Sequence, residues 1–193
     1  FSEAVAGPDL MDVMRKQAAR FGTTFEQVNV DRVELDKDPK VVHGDGKTWK
    51  CRSLIVATGA TAKWLDIESQ KKLRGHGVPA CATCDGFFFR DKVIAVVGGG
   101  DTAVEEATFL TRFGTKVHLI HRRDKLRASK AMQERAFRNP KLEMVWDSVV
   151  EEVLATPEKG VQGLRLKDVK TGTSVTLECQ WIFVAISHSP NTQ

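Results

Sequence analysis

The chain has 193 residues, 41% apolar and 28% charged, with a net charge of +4. That is enough for one large domain or two modest ones, and it excludes wholesale disorder. Residues 121–138 carry seven Lys or Arg against two acids, so the basic surplus is a local feature and not a general nucleic-acid surface. No apolar run is long enough to span a bilayer and no signal-peptide pattern opens the sequence. The expectation is a soluble, cytoplasmic protein with neither nucleic acid nor membrane as partner.

Gly7-Pro8-Asp9 is a helix-entry signal, and Leu10, Met11, Val13, Met14, Ala18 and Phe21 form one apolar stripe that Gly22 ends. Strands are predicted at Thr24–Val30 and Arg32–Leu35, followed by a hairpin passage through His43-Gly44-Asp45-Gly46. Ser53–Ala57 reads as a strand buried on both faces, running into the small-residue turn Thr58-Gly59-Ala60. Lys63–Pro79 has no sustained period and reads as a linker. Beyond it strand and helix alternate: strand Val93–Val97, helix Thr102–Phe113, strand Lys116–Ile120, helix Ser129–Arg138. That order predicts a parallel sheet with right-handed crossovers. Leu142–Trp146, Val149–Ala155, Val161–Asp168, Ser174–Glu178 and Trp181–Ile186 are short strands separated by turns, predicted as an antiparallel meander over the nucleotide unit. The fold class is therefore α/β.

Two signals for chemistry sit close together. Gly98-Gly99-Gly100-Asp101-Thr102-Ala103 follows a strand and opens a helix, the context in which a glycine turn holds a dinucleotide pyrophosphate on backbone N–H groups. The second strand ends in His121-Arg122-Arg123, with Arg127 beyond, where a site for NAD usually places a carboxylate. Guanidinium groups there favour a 2′-phosphate, hence NADPH. Just upstream, Cys81 and Cys84 form a Cys-x-x-Cys pair suited to two-electron thiol–disulfide exchange, with Asp85 placed to move a proton. Asp85 serves equally well as a turn or cap residue. The other cysteines, Cys51 and Cys179, have no close Cys or His partner, so no metal site is expected. Both are read as small buried residues in strands. A nicotinamide delivers hydride, so a disulfide is best reduced through a flavin, for which nothing between Cys81 and Ile120 provides a seat.

These residues resemble the low-molecular-weight thioredoxin reductases. The likeness runs through Gly7–Met11 and Ile55-Val56-Ala57-Thr58-Gly59-Ala60, similar to segments of that family's FAD domain. It continues through Ala80–Phe88 at the redox pair, Gly98–Ala103 with His121–Arg127 at the NADPH site, and Phe183–Asn191 at the return to the FAD domain. The resemblance implies a Rossmann-like NADPH-binding domain with its β-meander over residues 63–190, and the middle part of an FAD-binding domain over residues 1–62, to which residues 191–193 begin the return. It implies Ala57, Thr58 and Gly59 at the flavin. It also implies electron flow from NADPH through FAD to Cys81–Cys84 and on to thioredoxin, in an enzyme that is a homodimer when complete. Hinge strands would fall near Ala62–Leu65 and Ile186–Asn191.

Three departures from the family accompany the likeness. The flavin-phosphate glycine loop and the closing Gly-Asp segment lie outside this sequence, leaving Ser53–Ala57 without its neighbouring strand. Ser187 stands where the family has glycine, which stiffens a hinge if that position needs a positive φ. The reductase subunit of a peroxiredoxin system, and a catalytically silent NADPH-binding fragment, share the same core. Dithiol oxidases that dispense with NADPH do too, and the arginines weigh against them.

Overall fold

The computed structural model describes residues 5–73 and 89–192. The chain divides into two compact units, Phe1–Ala57 and Thr58–Gln193.

In the first unit, Pro8 lies in the opening turn of α1 (Gly7–Arg20), where its missing N–H costs nothing. The helix ends on Gly22 at φ +83: Gly22 N–H donates to the Ala19 carbonyl (2.9 Å) and Thr23 N–H to that of Ala18 (3.2 Å). Then come β1 (Val30–Glu34), β2 (Lys40–Gly44) and β3 (Lys47–Cys51), an antiparallel sheet in that order, its hairpin turning on Asp45-Gly46. Glu34 is the polar centre. It meets Lys37, His43 (2.7 Å) and Arg32 (2.9 Å), and these bonds, Lys37 and His43 foremost, hold its carboxyl down at about 2.

Two expectations for this unit fail. Of the expected strand Thr24–Val30 only Val30 is paired, and Ser53–Ala57 forms no strand, with Ile55 90% exposed. An apolar run becomes a strand only beside a hydrogen-bonding neighbour, and none of the described strands pairs with this one.

The second unit begins with β4 (Ala60–Ala62) and a short helix α2 (Glu68–Leu73) inside the expected linker. Leu65, Ile67 and Leu73 pack against a core, and Gln70 is fully buried, its Oε1 accepting from Leu65 N–H at 2.8 Å. Six residues are too few to show a helical period in the sequence.

The body of the unit follows: β5 (Val93–Gly98), α3 (Asp101–Leu110), β6 (Lys116–Ile120), α4 (Lys130–Phe137), β7 (Leu142–Val145), β8 (Ser148–Thr156), β9 (Gly160–Asp168), β10 (Ser174–Glu178), β11 (Trp181–Ala185) and β12 (His188–Pro190). The parallel sheet runs β11-β5-β6-β7, with Val93–Val97 in register with Lys116–Ile120 and Trp181–Ala185 in register with Ile94–Gly98. Because strand side chains alternate between faces, β5 supplies two cores. Ile94 and Val96 join Val104, Leu110, Leu119, Phe183 and Phe89 on the helix side. Ala95 and Val97 join Ile120, Val153, Leu164, Leu166 and Ile182 on the other side, under the antiparallel sheet β10-β9-β8.

The meander thus has three strands, not five. Leu142–Val145 and Trp181–Ala185 go into the parallel sheet, where Ile182 and Phe183 are buried on opposite faces. Strand direction is set by the connection that returns the chain to the sheet, and short apolar runs do not announce it. Cys51, the last residue of β3, is half-buried. Cys179 is fully buried but lies between β10 and β11 rather than in a strand, and burial pushes its thiol up to about 12.

Candidate dinucleotide site

The strand order reverses at β5: the chain proceeds outward to β6 and β7, and later returns to β11 on the other side. A crevice at the carboxyl ends of the strands is expected at such a point. A cleft of about 830 Å³ opens there, lined by Gly98–Thr102, His121, Arg122, Arg123 and Arg127 together with Lys63–Leu65, Ser148–Val150 and Ala185–Ser187.

The glycine turn is shaped by close approach. A Cβ on Gly98, whose φ is +157, would lie 2.6 Å from the Ala103 Cβ and overlap the Ala185 carbonyl. This also explains why residue 103 is a small one, fully buried under the turn. A Cβ on Gly99 would strike the His121 ring. Gly100 caps α3 in extended geometry (φ −93, ψ −177), and a Cβ there would meet nothing within 4 Å, so this backbone faces open space. The N-cap Gly100 offers no side chain to cap α3, whose first-turn N–H groups have no intrahelical acceptor. Together these make a cradle for an anionic phosphate at the positive end of a helix.

β6 delivers the basic side. His121 extends the strand, its N–H donating to the Val145 carbonyl (2.8 Å) and its carbonyl accepting from Ser148 N–H (3.0 Å). Its ring is buried beneath Gly99, edge-on to Trp146 with ring centroids 6.4 Å apart, and Nε2 finds no hydrogen-bond partner among the described residues. Burial, then the charges of Arg123 and Arg122, lower its pKa against the pull of backbone groups at Gly98 and Lys125. His121 is therefore an uncharged floor for the turn at neutral pH.

Arg122, Arg123 and Arg127 are exposed, while Leu126 and Ala128 anchor their loop in the core. The Gly99 carbonyl accepts from both Arg127 N–H (2.7 Å) and Ala128 N–H (3.1 Å), which ties this loop to the glycine turn. Asp101 opens α3, and its Oδ1 accepts from Ser129 N–H at 2.8 Å. Thr102 lines the cleft.

The remaining sequence-predicted residues are placed elsewhere. Thr58 and Gly59 are exposed and bonded to Asn191: Thr58 Oγ1 donates to the Asn191 carbonyl, and the Gly59 carbonyl accepts Asn191 N–H (3.0 Å). Ala57 is exposed in the other unit. Cys81, Cys84 and Asp85 lie outside the described residues.

Sequence reasoning missed the far wall of the cleft, Val149, Val150 and Trp64. Their only signal is apolar character, which they share with the core. Among the described residues, no helix is long and apolar enough to cross a membrane.

Residues 3–193 match the family described as pyridine nucleotide-disulphide oxidoreductase. The thioredoxin reductase of Rickettsia felis is 47% identical over 194 residues, and that of Streptomyces coelicolor 49%. Both alignments take in all of this chain but only 63% and 60% of the relative. The crystal structure of Lactococcus lactis thioredoxin reductase superposes with a TM-score of 0.80 at 39% identity, covering 96% of this chain and 61% of that one. The chain thus spans somewhat under two thirds of the proteins it matches. A glycine cradle and an arginine loop meeting at the end of a parallel sheet agree with that likeness, and this chain belongs to the pyridine nucleotide-disulphide oxidoreductase family.

Proposed function

We propose that the chain is the NADPH-binding and dithiol-bearing portion of a thioredoxin-disulfide reductase. The observation that carries this reading is the convergence of Gly98–Thr102 with Arg122, Arg123 and Arg127 on one cleft. The turn's open backbone and the start of α3 suit the pyrophosphate. The guanidinium groups suit a 2′-phosphate through charge-assisted bonds, and the residue that follows β6 is His121, not a carboxylate that would hold a ribose hydroxyl. His121, buried and uncharged, fixes the turn and leaves the arginines as the cations.

Bound NADPH would supply the hydride equivalent, and FAD, as cofactor of the whole protein, would relay the electron pair to the Cys81–Cys84 disulfide. The resulting dithiol then reduces the disulfide of thioredoxin, the protons being taken up by the leaving thiolates with Asp85 as the nearest donor in sequence. Cys179, with its raised pKa and full burial, stays out of this exchange. The working NADPH domain is residues 63–190, with residues 1–62 and 191–193 belonging to the flavin side. The complete protein acts as a cytoplasmic homodimer.

Calorimetric titration of the chain with NADPH and NADH tests the reading. NADPH is expected to bind at least about tenfold more tightly, one charged hydrogen bond's worth, and Arg122→Ala with Arg127→Ala should abolish the difference while leaving NADH nearly unchanged. Equal losses for both nucleotides would reject the assignment of the arginines to the 2′-phosphate.

A further inference from the structure

The loop that carries Arg127 is held from the glycine turn at three consecutive residues. Arg127 and Ala128 donate to the Gly99 carbonyl, and Ser129 donates to the Asp101 carboxylate. The two kinds of bond differ in strength. The first two are ordinary amide–carbonyl bonds. The third has an ionised acceptor and is roughly twice as strong.

Its setting strengthens it further. Asp101 is the first residue of α3 and Ser129 is the N-cap of α4, so the carboxylate stands where two helices present their positive ends. Ser129 makes no side-chain cap of its own on α4, and the Asp101 contact joins the Gly99 bonds and the Gln133 Nε2 bond to the Ala128 carbonyl (2.7 Å) in fastening that corner, as the bond with an ionised acceptor. The bonds from Ser129, backbone first and side chain second, hold the Asp101 carboxyl below its ordinary range.

A carboxylate at the head of a helix that cradles phosphate is otherwise a liability, because it repels the ligand. Asp101 lines the cleft, but its Oδ1 is committed to Ser129 N–H on the basic loop. Arg127 is exposed on that loop at the edge of the cleft, so the aim of its guanidinium depends on the backbone beneath it.

We propose that Asp101 is a positioning residue which, through Ser129 N–H, sets the Arg127 guanidinium for a 2′-phosphate and so determines selectivity between 2′-phosphorylated and 2′-hydroxyl dinucleotides. This deepens, and rests on, the reading of the arginine loop given above. Asp101 does not contact the 2′-phosphate. It acts on the ratio of the two affinities, whereas any change in charge at the pyrophosphate affects both nucleotides alike and cancels in that ratio.

The test measures dissociation constants of NADPH and NADH for the whole chain and three variants, with melting curves as a check on folding. Asp101→Ala removes the acceptor and should lower the NADPH-to-NADH preference about tenfold, the effect of misplacing one charge-assisted bond. Asp101→Asn keeps an oxygen acceptor for Ser129 N–H and should restore most of the preference. Ser129→Pro removes both the N–H and the hydroxyl that bond Asp101, and leaves the carboxylate in place. Ser129 already has φ −59, which proline adopts, so the variant should keep its helix and lose the same selectivity. It also stands in if Asp101→Ala does not fold. A wild-type preference that survives both Asp101→Ala and Ser129→Pro overturns the proposal while leaving the arginine assignment intact. A proportional loss for both nucleotides, or an Asn variant as unselective as Ala, overturns it too. A wild-type chain that binds NADH as tightly as NADPH overturns the reading of the arginines and this inference with it.

Discussion

The two units contain similar local signals but bury them very differently. In Phe1–Ala57, α1 carries an apolar stripe yet buries none of its side chains, with Met11, Val13 and Met14 more than half exposed and Phe21 80% exposed. Val41 is its one buried apolar side chain among the described residues. What fastens this unit is polar: Glu34 with its three basic neighbours, Arg15 over the Phe25 ring at 4.2 Å, and a pair between Lys47 and Glu26. In Thr58–Gln193 the parallel sheet is packed on both faces. Exposed ion pairs contribute about 0–1 kcal/mol each, whereas a fully buried large apolar side chain contributes about 1.5–3 kcal/mol. Regular secondary structure therefore says little about where stability resides. The buried strand faces decide that.

The largest expected effect separates the units directly. Leu110→Ala, at a fully buried position of the helix-side core, should cost about 2–5 kcal/mol, while Ile55→Ala, at a 90% exposed one, should stay within about 0.5 kcal/mol. Denaturant melts of both variants check this. Hydrogen exchange on the parent should show strong protection at Val93–Val97 and Val117–Ile120 and fast exchange before Lys63. Even protection from Leu10 onward would break the contrast between the units.

A middle-sized effect sharpens it within the site. Gly99→Ala drives a Cβ into the His121 ring, an overpacking expected to cost about 1–3 kcal/mol, and it should weaken NADPH and NADH together. Gly100→Ala meets nothing in the protein and should cost about 1 kcal/mol or less as a poorer cap, yet still hinder binding by occupying the open side of the turn. Melting temperature and calorimetry on this pair distinguish a glycine needed by the fold from one needed by the ligand.

The smallest effect concerns Ser187, whose φ of +133 is a conformation that side chains rarely adopt. Ser187→Gly relieves about 1–3 kcal/mol of strain, offset by about 0.4–1 kcal/mol of added freedom in the unfolded chain. A net gain near 1 kcal/mol, seen as a melting temperature about 2–4 °C higher, is the expected outcome. A lower melting temperature would mean that the hydroxyl, which donates to the His188 carbonyl at 3.3 Å, contributes more than the strain costs.

Much of the second unit was legible because its signals are local. Lys116–Ile120 and Ser174–Glu178 are strands with the bounds read from the sequence, and Val93–Val97 is extended only by Gly98. The glycine turn and the arginine loop were legible as motifs, and their meeting follows from the register of β5 on β6. What was not legible depends on neighbours distant in sequence. Ser53–Ala57 has the composition of a buried strand but finds no partner among the described strands. Leu142–Val145 and Trp181–Ala185 look like the meander strands beside them, and only the crossovers send them to the parallel sheet. The Asp101–Ser129 contact spans 28 positions and has no signature except two common polar residues.

The ribbon of β4 and β12 has a mechanical consequence. Ala60–Ala62 pairs antiparallel with His188–Pro190, and Asn191 closes the neck through Thr58, Gly59 and Thr61. The second unit is therefore entered and left through two strands about 5 Å apart. Tension applied to the chain on either side of it is borne first by this ribbon, whose cross-strand bonds break in succession, as a zip opens. Because the ribbon has only three paired positions, it opens before load reaches the parallel sheet.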